Sequence, residues 1–195
     1  MRLLTEIDTI ITEFINNMGI FAPVLASLLI VVEAIVPFLP LGVFITVNFY
    51  YFGHFLGFII SWLLTCLGSY IVFKFWRSKV KNWFDGKIDK KENSKTNKLM
   101  IKINELSLEK FVLLVTIPFA PAFFINMVAG LSTISEKKFI IVLLIGKIFV
   151  VYFWGFIGSS FLDSFNNPRN LIVIAILMLF AFAISKIVNK TYGIE

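Results

Sequence analysis

The chain has 195 residues, 58% of them hydrophobic and 15% charged, with a net charge of +6 and a mean hydropathy of +0.89. An ordinary soluble domain carries about 45–50% apolar and about 25% charged residues, so the composition excludes that class and points to an all-α integral membrane protein. A single cysteine, Cys66, and a single histidine, His54, exclude an internal disulfide framework and a cysteine- or histidine-built metal centre, and no cofactor is expected.

Residues 1–18 repeat apolar side chains at helical spacing (Leu3, Leu4, Ile7, Ile10, Ile11, Phe14, Ile15), while Glu6, Asp8 and Glu13 interrupt what a secretory signal needs as its apolar core. The segment reads as a retained amphipathic helix lying at the membrane surface, with an ordinary packing helix as the alternative. No formal charge then occurs between Glu33 and Lys74, room for about two passes. The run from Lys74 to Lys110 holds eleven of the 18 basic residues against five acids. Lys- and Arg-rich loops stay on the cytoplasmic side, so 77–110 reads as a basic cytoplasmic loop, attracted to anionic headgroups and with no role in nucleic-acid binding.

Residues 111–135 are again uncharged. Read as one span, they place Glu136, Lys137, Lys138, Lys186 and Lys190 on the outer side, against the positive-inside bias. Read as a segment that dips in and returns, bending at Pro118 and Pro121, they keep those lysines inside. Residues 139–161 then run outward, and the C-terminal transmembrane helix at 168–190 returns. The expected location is the cell (cytoplasmic) membrane, multi-pass, with the loop 77–110 and the C-terminus cytoplasmic.

Two prolines with two residues between them remove amide donors and break a helix into halves, and such a backbone at membrane depth must be buried in protein or line a wet cavity. The device occurs twice. "VPFLPLGVFITVNF" (36–49) and "IPFAPAFFINMVAG" (117–130) align with Pro37 and Pro40 set 81 residues before Pro118 and Pro121, and "CLGSYIVFKFW" (66–76) and "LIGKIFVVYFW" (144–154) follow in turn. The expected architecture is therefore an inverted repeat of two re-entrant P-x-x-P hairpins plus transmembrane helices, with the first repeat at 19–76 and the second at 111–162. Broken-helix tips of such repeats meet near the midplane.

The ordered set E-A-x-x-P-x-x-P, then P-x-x-P-x-x-x-x-N-x-x-A-G-L-S (Pro118 to Ser132), then I-G at the next helix, resembles the DedA superfamily, also called SNARE-associated or VTT-domain proteins, over roughly residues 20 to 162. The resemblance implies two inverted re-entrant hairpins and movement of lipids between leaflets, either phospholipid scrambling or recycling of a polyprenyl phosphate. It places Glu33 on the family's membrane-embedded glutamate, and Pro37, Pro40, Pro118, Pro121 and Asn126 on the hairpin tips. Two positions depart from the pattern. Val115 stands where the family usually has an arginine, and Leu41 and Gly42 follow Pro40 where many members carry an acid.

Ionisable groups in a bilayer are expensive and are functional candidates by default. Glu33 and Lys147 qualify. Lys147 either snorkels or supplies the positive charge missing at Val115, pairing with Glu33 or meeting a lipid phosphate; Glu33 is either a transport residue or a protonated helix residue. The half-helices after Pro40 and Pro121 would aim their N-termini at the midplane, where an anion is favoured. Asn126 either donates to such an anion or bridges two helices. Gly53, Gly57, Gly130 and Gly146 read as close-packing positions, the first two as a G-x-x-x-G. The leading function is transport or scrambling of lipids through their anionic headgroups, with no catalytic residue. A proton- or ion-coupled solute exporter is the alternative, and a lipid-modifying enzyme lacks a motif. Membrane lipids are the expected partners, and a homo-oligomer is left open.

Overall fold

The computed structural model describes residue 19 and residues 21–81, 95–164, 167 and 169–192. The amphipathic helix expected over 1–18 lies outside the described residues, as does part of the basic loop. The described residues form helices only: α1 (Phe21–Glu33), α2 (Leu41–Phe75), a π-helical turn (Trp76–Val80), α3 (Lys95–Glu105), α4 (Leu108–Thr116), α5 (Ala122–Leu131), α6 (Glu136–Asp163) and α7 (Arg169–Tyr192). Three of them are long and apolar enough to cross a membrane: Leu41–Val80, Glu136–Asp163 and Arg169–Val188.

The first of these is not straight. Gly53 has φ 75°, ψ 172°, a conformation that only glycine adopts without strain. Asn48 Nδ2 nevertheless donates to Ser61 Oγ at 3.2 Å, although 13 residues of continuous helix would separate the two by roughly 20 Å. Residues 41–52 therefore fold back along 54–75.

The helix breaks follow from the sequence. Ile117 is extended (φ −74°, ψ 121°) and ends α4 one residue before Pro118, as the clash of a proline ring with the preceding backbone requires. The two tips share one backbone form. Leu39 N donates to Val36 O (3.2 Å) and Ala120 N to Ile117 O (3.1 Å). Pro40 (φ −81°, ψ 87°) and Pro121 (φ −71°, ψ 81°) then start α2 and α5 with no side-chain cap. Helix crossings recur as well. A Cβ at Gly68 would meet Ala34 Cβ at 2.8 Å and Val31 O at 3.0 Å, and one at Gly146 would meet Val115 Cβ at 3.1 Å and Val112 O at 3.4 Å. Val31 and Ala34 precede Val112 and Val115 by the same 81 residues that separate the proline pairs.

Around the second tip the chain doubles back. The amide of Thr133 donates to Asn104 Oδ1 at 3.0 Å and Lys138 Nζ to Leu106 O at 2.6 Å, so the start of α4 and the end of α5 lie at one end of the molecule. With 9 and 10 residues, α4 and α5 are each about 15 Å long, half of a ~30 Å hydrocarbon core. Ser107 and Ser135 cap α4 and α6 by accepting from Lys110 N and Lys138 N.

Two apolar clusters hold the helices. One gathers at the end bearing Lys74 and Arg77, where Phe73 stacks on Phe139 (centroids 4.1 Å apart, 13° between planes) beside Phe111, Leu114 and Val142. The other joins Ile30, Ile45, Phe49 and Val151. Large apolar side chains elsewhere face outward, as on α7 with Ile172, Ile176, Leu179 and Ile187, the surface expected of helices solvated by lipid.

Candidate functional site

A groove of about 1000 Å³ runs between the two tips. Pro37, Pro40, Pro118 and Pro121 all line it, together with Glu33, Asn126 and Lys147. Three separate stretches of the sequence, 33–40, 118–126 and 147, thus share one space. On α6 the groove follows Lys147, Val150, Trp154, Ile157, Phe161 and Leu162, a rise of roughly 20 Å. It stops at Lys147, beyond which the Phe73–Phe139 cluster is packed. Most of its other lining is apolar, with Ile174 and Met178 contributed by α7.

The two embedded charges do not pair. Glu33 and Lys147 act on one another electrostatically across the groove, yet among the described residues the ion pair is Lys74–Glu136 (2.8 Å), at the basic end. This corrects the expectation that Lys147 meets Glu33 directly. The reason is geometric: Glu33 ends α1 at the first tip, whereas Lys147 projects from the middle of α6. Snorkelling is not seen either, since Lys147 is 5% exposed. Its neighbour Gly146 is packed against Val115, and Val115 and Lys147 line the same groove.

Asn126 is 2% exposed, and its Nδ2 has no hydrogen-bond partner. It bridges no helices. The helix-bridging asparagine is instead Asn48, which no sequence motif singles out. Its Oδ1 accepts from Ser27 Oγ (3.2 Å) and its Nδ2 donates to Ser61 Oγ (3.2 Å), tying α1 to both halves of α2. A polar side chain within an uncharged run is the available signal.

Arg77 likewise carries no motif. Its guanidinium donates to the carbonyls of Ala129, Gly130, Ser132 and Ile134 at 2.7–3.1 Å and lies 4.6 Å from the Phe73 ring centroid. Lys81 Nζ adds bonds to Leu131 O (2.7 Å) and Ser132 O (3.2 Å). These cations occupy the orphan carbonyls at the C-terminus of α5, where the helix dipole also favours positive charge. Glu136 accepts from Lys74 and from Tyr70 Oη nearby.

The glycines divide. A Cβ at Gly57 would lie 2.6 Å from Asn48 O, and one at Gly130 2.6 Å from Phe73 O; at Gly146 the contact with Val115 is 3.0 Å. Gly53 is not a close-packing position: a Cβ there would meet nothing within 4 Å, and its role is the turn. Among the described residues no three His, Cys, Asp or Glu side chains come together to hold a metal ion.

The VTT domain family model matches residues 36–160, the stretch that contains both tips, Asn126 and Lys147. The uncharacterized membrane protein YhjE of Bacillus subtilis (strain 168) is 31% identical over 180 residues, covering 92% of this chain and 86% of that protein. No solved structure matches the chain. With the family model spanning more than half of the sequence and the Bacillus protein aligned over nearly all of it, the chain belongs to the VTT-domain (DedA) family of membrane proteins.

Proposed function

We propose that this protein moves lipids between leaflets by passing an anionic headgroup along the groove while the acyl chains stay in the bilayer. The observation that carries the reading is the convergence of both proline tips, Glu33, Asn126 and Lys147 on one groove. α2 and α5 begin there without side-chain caps, so their first amides and dipoles favour an anion. The lysine supplies a full positive charge. The mostly apolar remaining wall offers a hydrated solute few hydrogen-bond partners, which favours this reading over a coupled exporter; no bond is made or broken in it.

In this proposal α4–α5 and α1 with residues 41–52 are re-entrant hairpins entering from opposite faces. Residues 77–110 and the C-terminus lie on the cytoplasmic side of the cell membrane, and the groove opens to the outer leaflet. Half-bilayer helix lengths and the shared tip geometry support it. Cysteines placed at the exposed Ser107 and Ser135, with Cys66 removed, should both be labelled from the cytoplasm; labelling from opposite faces would refute the hairpin.

The functional test is leaflet exchange of labelled phospholipid and of polyprenyl phosphate in proteoliposomes. Exchange above protein-free vesicles, lost in Lys147→Met, is the expected result. Wild-type protein that exchanges neither lipid would overturn the proposal.

A further inference from the structure

We propose that Trp154 is a second, uncharged station for the phosphate of the headgroup, lying on the groove between its mouth and Lys147. The inference rests on the lipid-transport reading and adds a residue to it. Among the described residues two buried side-chain donors lack a partner, Asn126 Nδ2 and Trp154 Nε1, and both residues line the same groove. An orphan indole is not a general feature of this chain, since Trp62 Nε1 donates to Leu144 O at 3.0 Å. A buried N–H left unpaired carries its full desolvation penalty. Both residues line the groove beside Lys147, where Glu33 is the one carboxylate of the lining.

The indole is fixed in place. Its ring lies against Gly42, where an added Cβ would stand 2.5 Å from Cε3. Phe119, from the second tip, meets it edge-on with centroids 5.5 Å apart. The ring is therefore gripped between the helix start after Pro40 and the tip between Pro118 and Pro121. Trp154 stands seven residues after Lys147 on α6, two turns along the same face and about 10 Å away. One phosphate cannot occupy both positions at once, so the arrangement is sequential. Asn126 on α5 is the third donor of the path.

The test uses the whole protein in detergent and in proteoliposomes. The indole N–H resonance of Trp154, identified by its loss in Trp154→Phe, is followed during titration with lysophosphatidylglycerol, monoacylglycerol or inorganic phosphate. The expected result is a shift with the phospholipid and none with the uncharged lipid. Transport should fall about tenfold in Trp154→Phe, the loss of one hydrogen bond to a charged group, with an unchanged melting temperature, and Trp154→His, which keeps a ring N–H, should recover part of it. An equal response to inorganic phosphate would uphold the station and overturn the lipid reading. Wild-type exchange matched by Trp154→Phe, with an unmoved resonance, would overturn the station and leave that reading standing. Should Trp154→Phe fail to fold, the wild-type titration decides alone, with the resonance assigned from Trp62→Phe, Trp76→Phe and Trp83→Phe.

Discussion

The two P-F-x-P tips have nearly the same backbone and opposite surroundings. Phe38 is 93% exposed, whereas Phe119 packs on Phe153, Trp154 and Phe182. Charge is divided in the same way. Glu33 precedes the first tip, and the matching position before the second is Leu114, 1% exposed; Lys147 follows the second, and its match in the first is Ser69, also 1% exposed. The two proline segments share the bend and the helix crossing, which backbone sterics impose, while an ionisable side chain at each pair of matching positions is present on one side only. A groove between unlike walls, with a carboxylate on one and an ammonium on the other, is the outcome.

The turns that end the half-helices differ most, and the largest effect is expected there. After α5 the turn at 132–135 is clamped by Arg77. After residues 41–52 the reversal is a single glycine. Arg77→Ala would leave the carbonyls of Gly130 and Ile134 unpaired, while Ala129 O keeps Ser132 Oγ and Ser132 O keeps Lys81 Nζ, at about 1–3 kcal/mol for each that water cannot reach. A loss of about 3 kcal/mol in unfolding free energy, measured by denaturant titration in detergent, is expected, and Arg77→Lys should recover only part. A loss below about 1 kcal/mol would show that the clamp is dispensable.

Next comes the contrast between two buried asparagines. Asn48 has both ends of its amide bonded and Asn126 has an orphan Nδ2. Asn48→Leu should destabilise by about 2 kcal/mol, while Asn126→Leu, which removes an unsatisfied donor, should be neutral or stabilising by up to about 1 kcal/mol. Transport should respond in the reverse order, falling more in Asn126→Leu. Equal destabilisation by the two would mean that Asn126 is structural.

What is legible in the sequence follows from these differences. Proline pairs act through covalent geometry, so Pro37, Pro40, Pro118 and Pro121 mark the bends by residue type alone, and charge scarcity singles out Glu33 and Lys147. Arg77 is hidden because its partners are backbone carbonyls more than fifty residues away, and a carbonyl leaves no trace in composition. Asn48 and Asn126 are the same residue type in equally apolar runs; only packing distinguishes the satisfied one from the orphan. Gly53 stands out in sequence for its spacing from Gly57, whereas what matters is its positive φ, set by where the chain must reverse.

Glycine substitutions test that last distinction. Gly53→Ala should cost about 1–3 kcal/mol from backbone strain alone, there being no crowding at the site. Gly68→Ala and Gly146→Ala meet matching crossings and should cost similar amounts to one another, about 1–3 kcal/mol from overpacking. Thermal unfolding of the three variants would separate strain from crowding, and a large disparity between Gly68→Ala and Gly146→Ala would break the equivalence of the two crossings.

The smallest effect expected is a coupling. Each embedded charge belongs to a different repeat, and they share the groove without an ion pair. Had they been paired, truncating one would strand the other, at about 3–5 kcal/mol, and removing both would recover much of it. Facing one another across the groove without an ion pair, they should couple only weakly. In a double-mutant cycle of Glu33→Gln and Lys147→Met, the interaction energy in thermal stability should stay below about 1 kcal/mol, although each single change lowers transport. Stability and transport are to be read on the same four proteins, because a ligand that touches both walls would couple the sites in transport while leaving the empty protein additive. Additivity in stability with coupling in transport would mean that the lipid itself connects carboxylate and ammonium. A coupling of several kcal/mol in stability would mean instead that the two side chains meet directly and that the groove closes between its walls without a ligand.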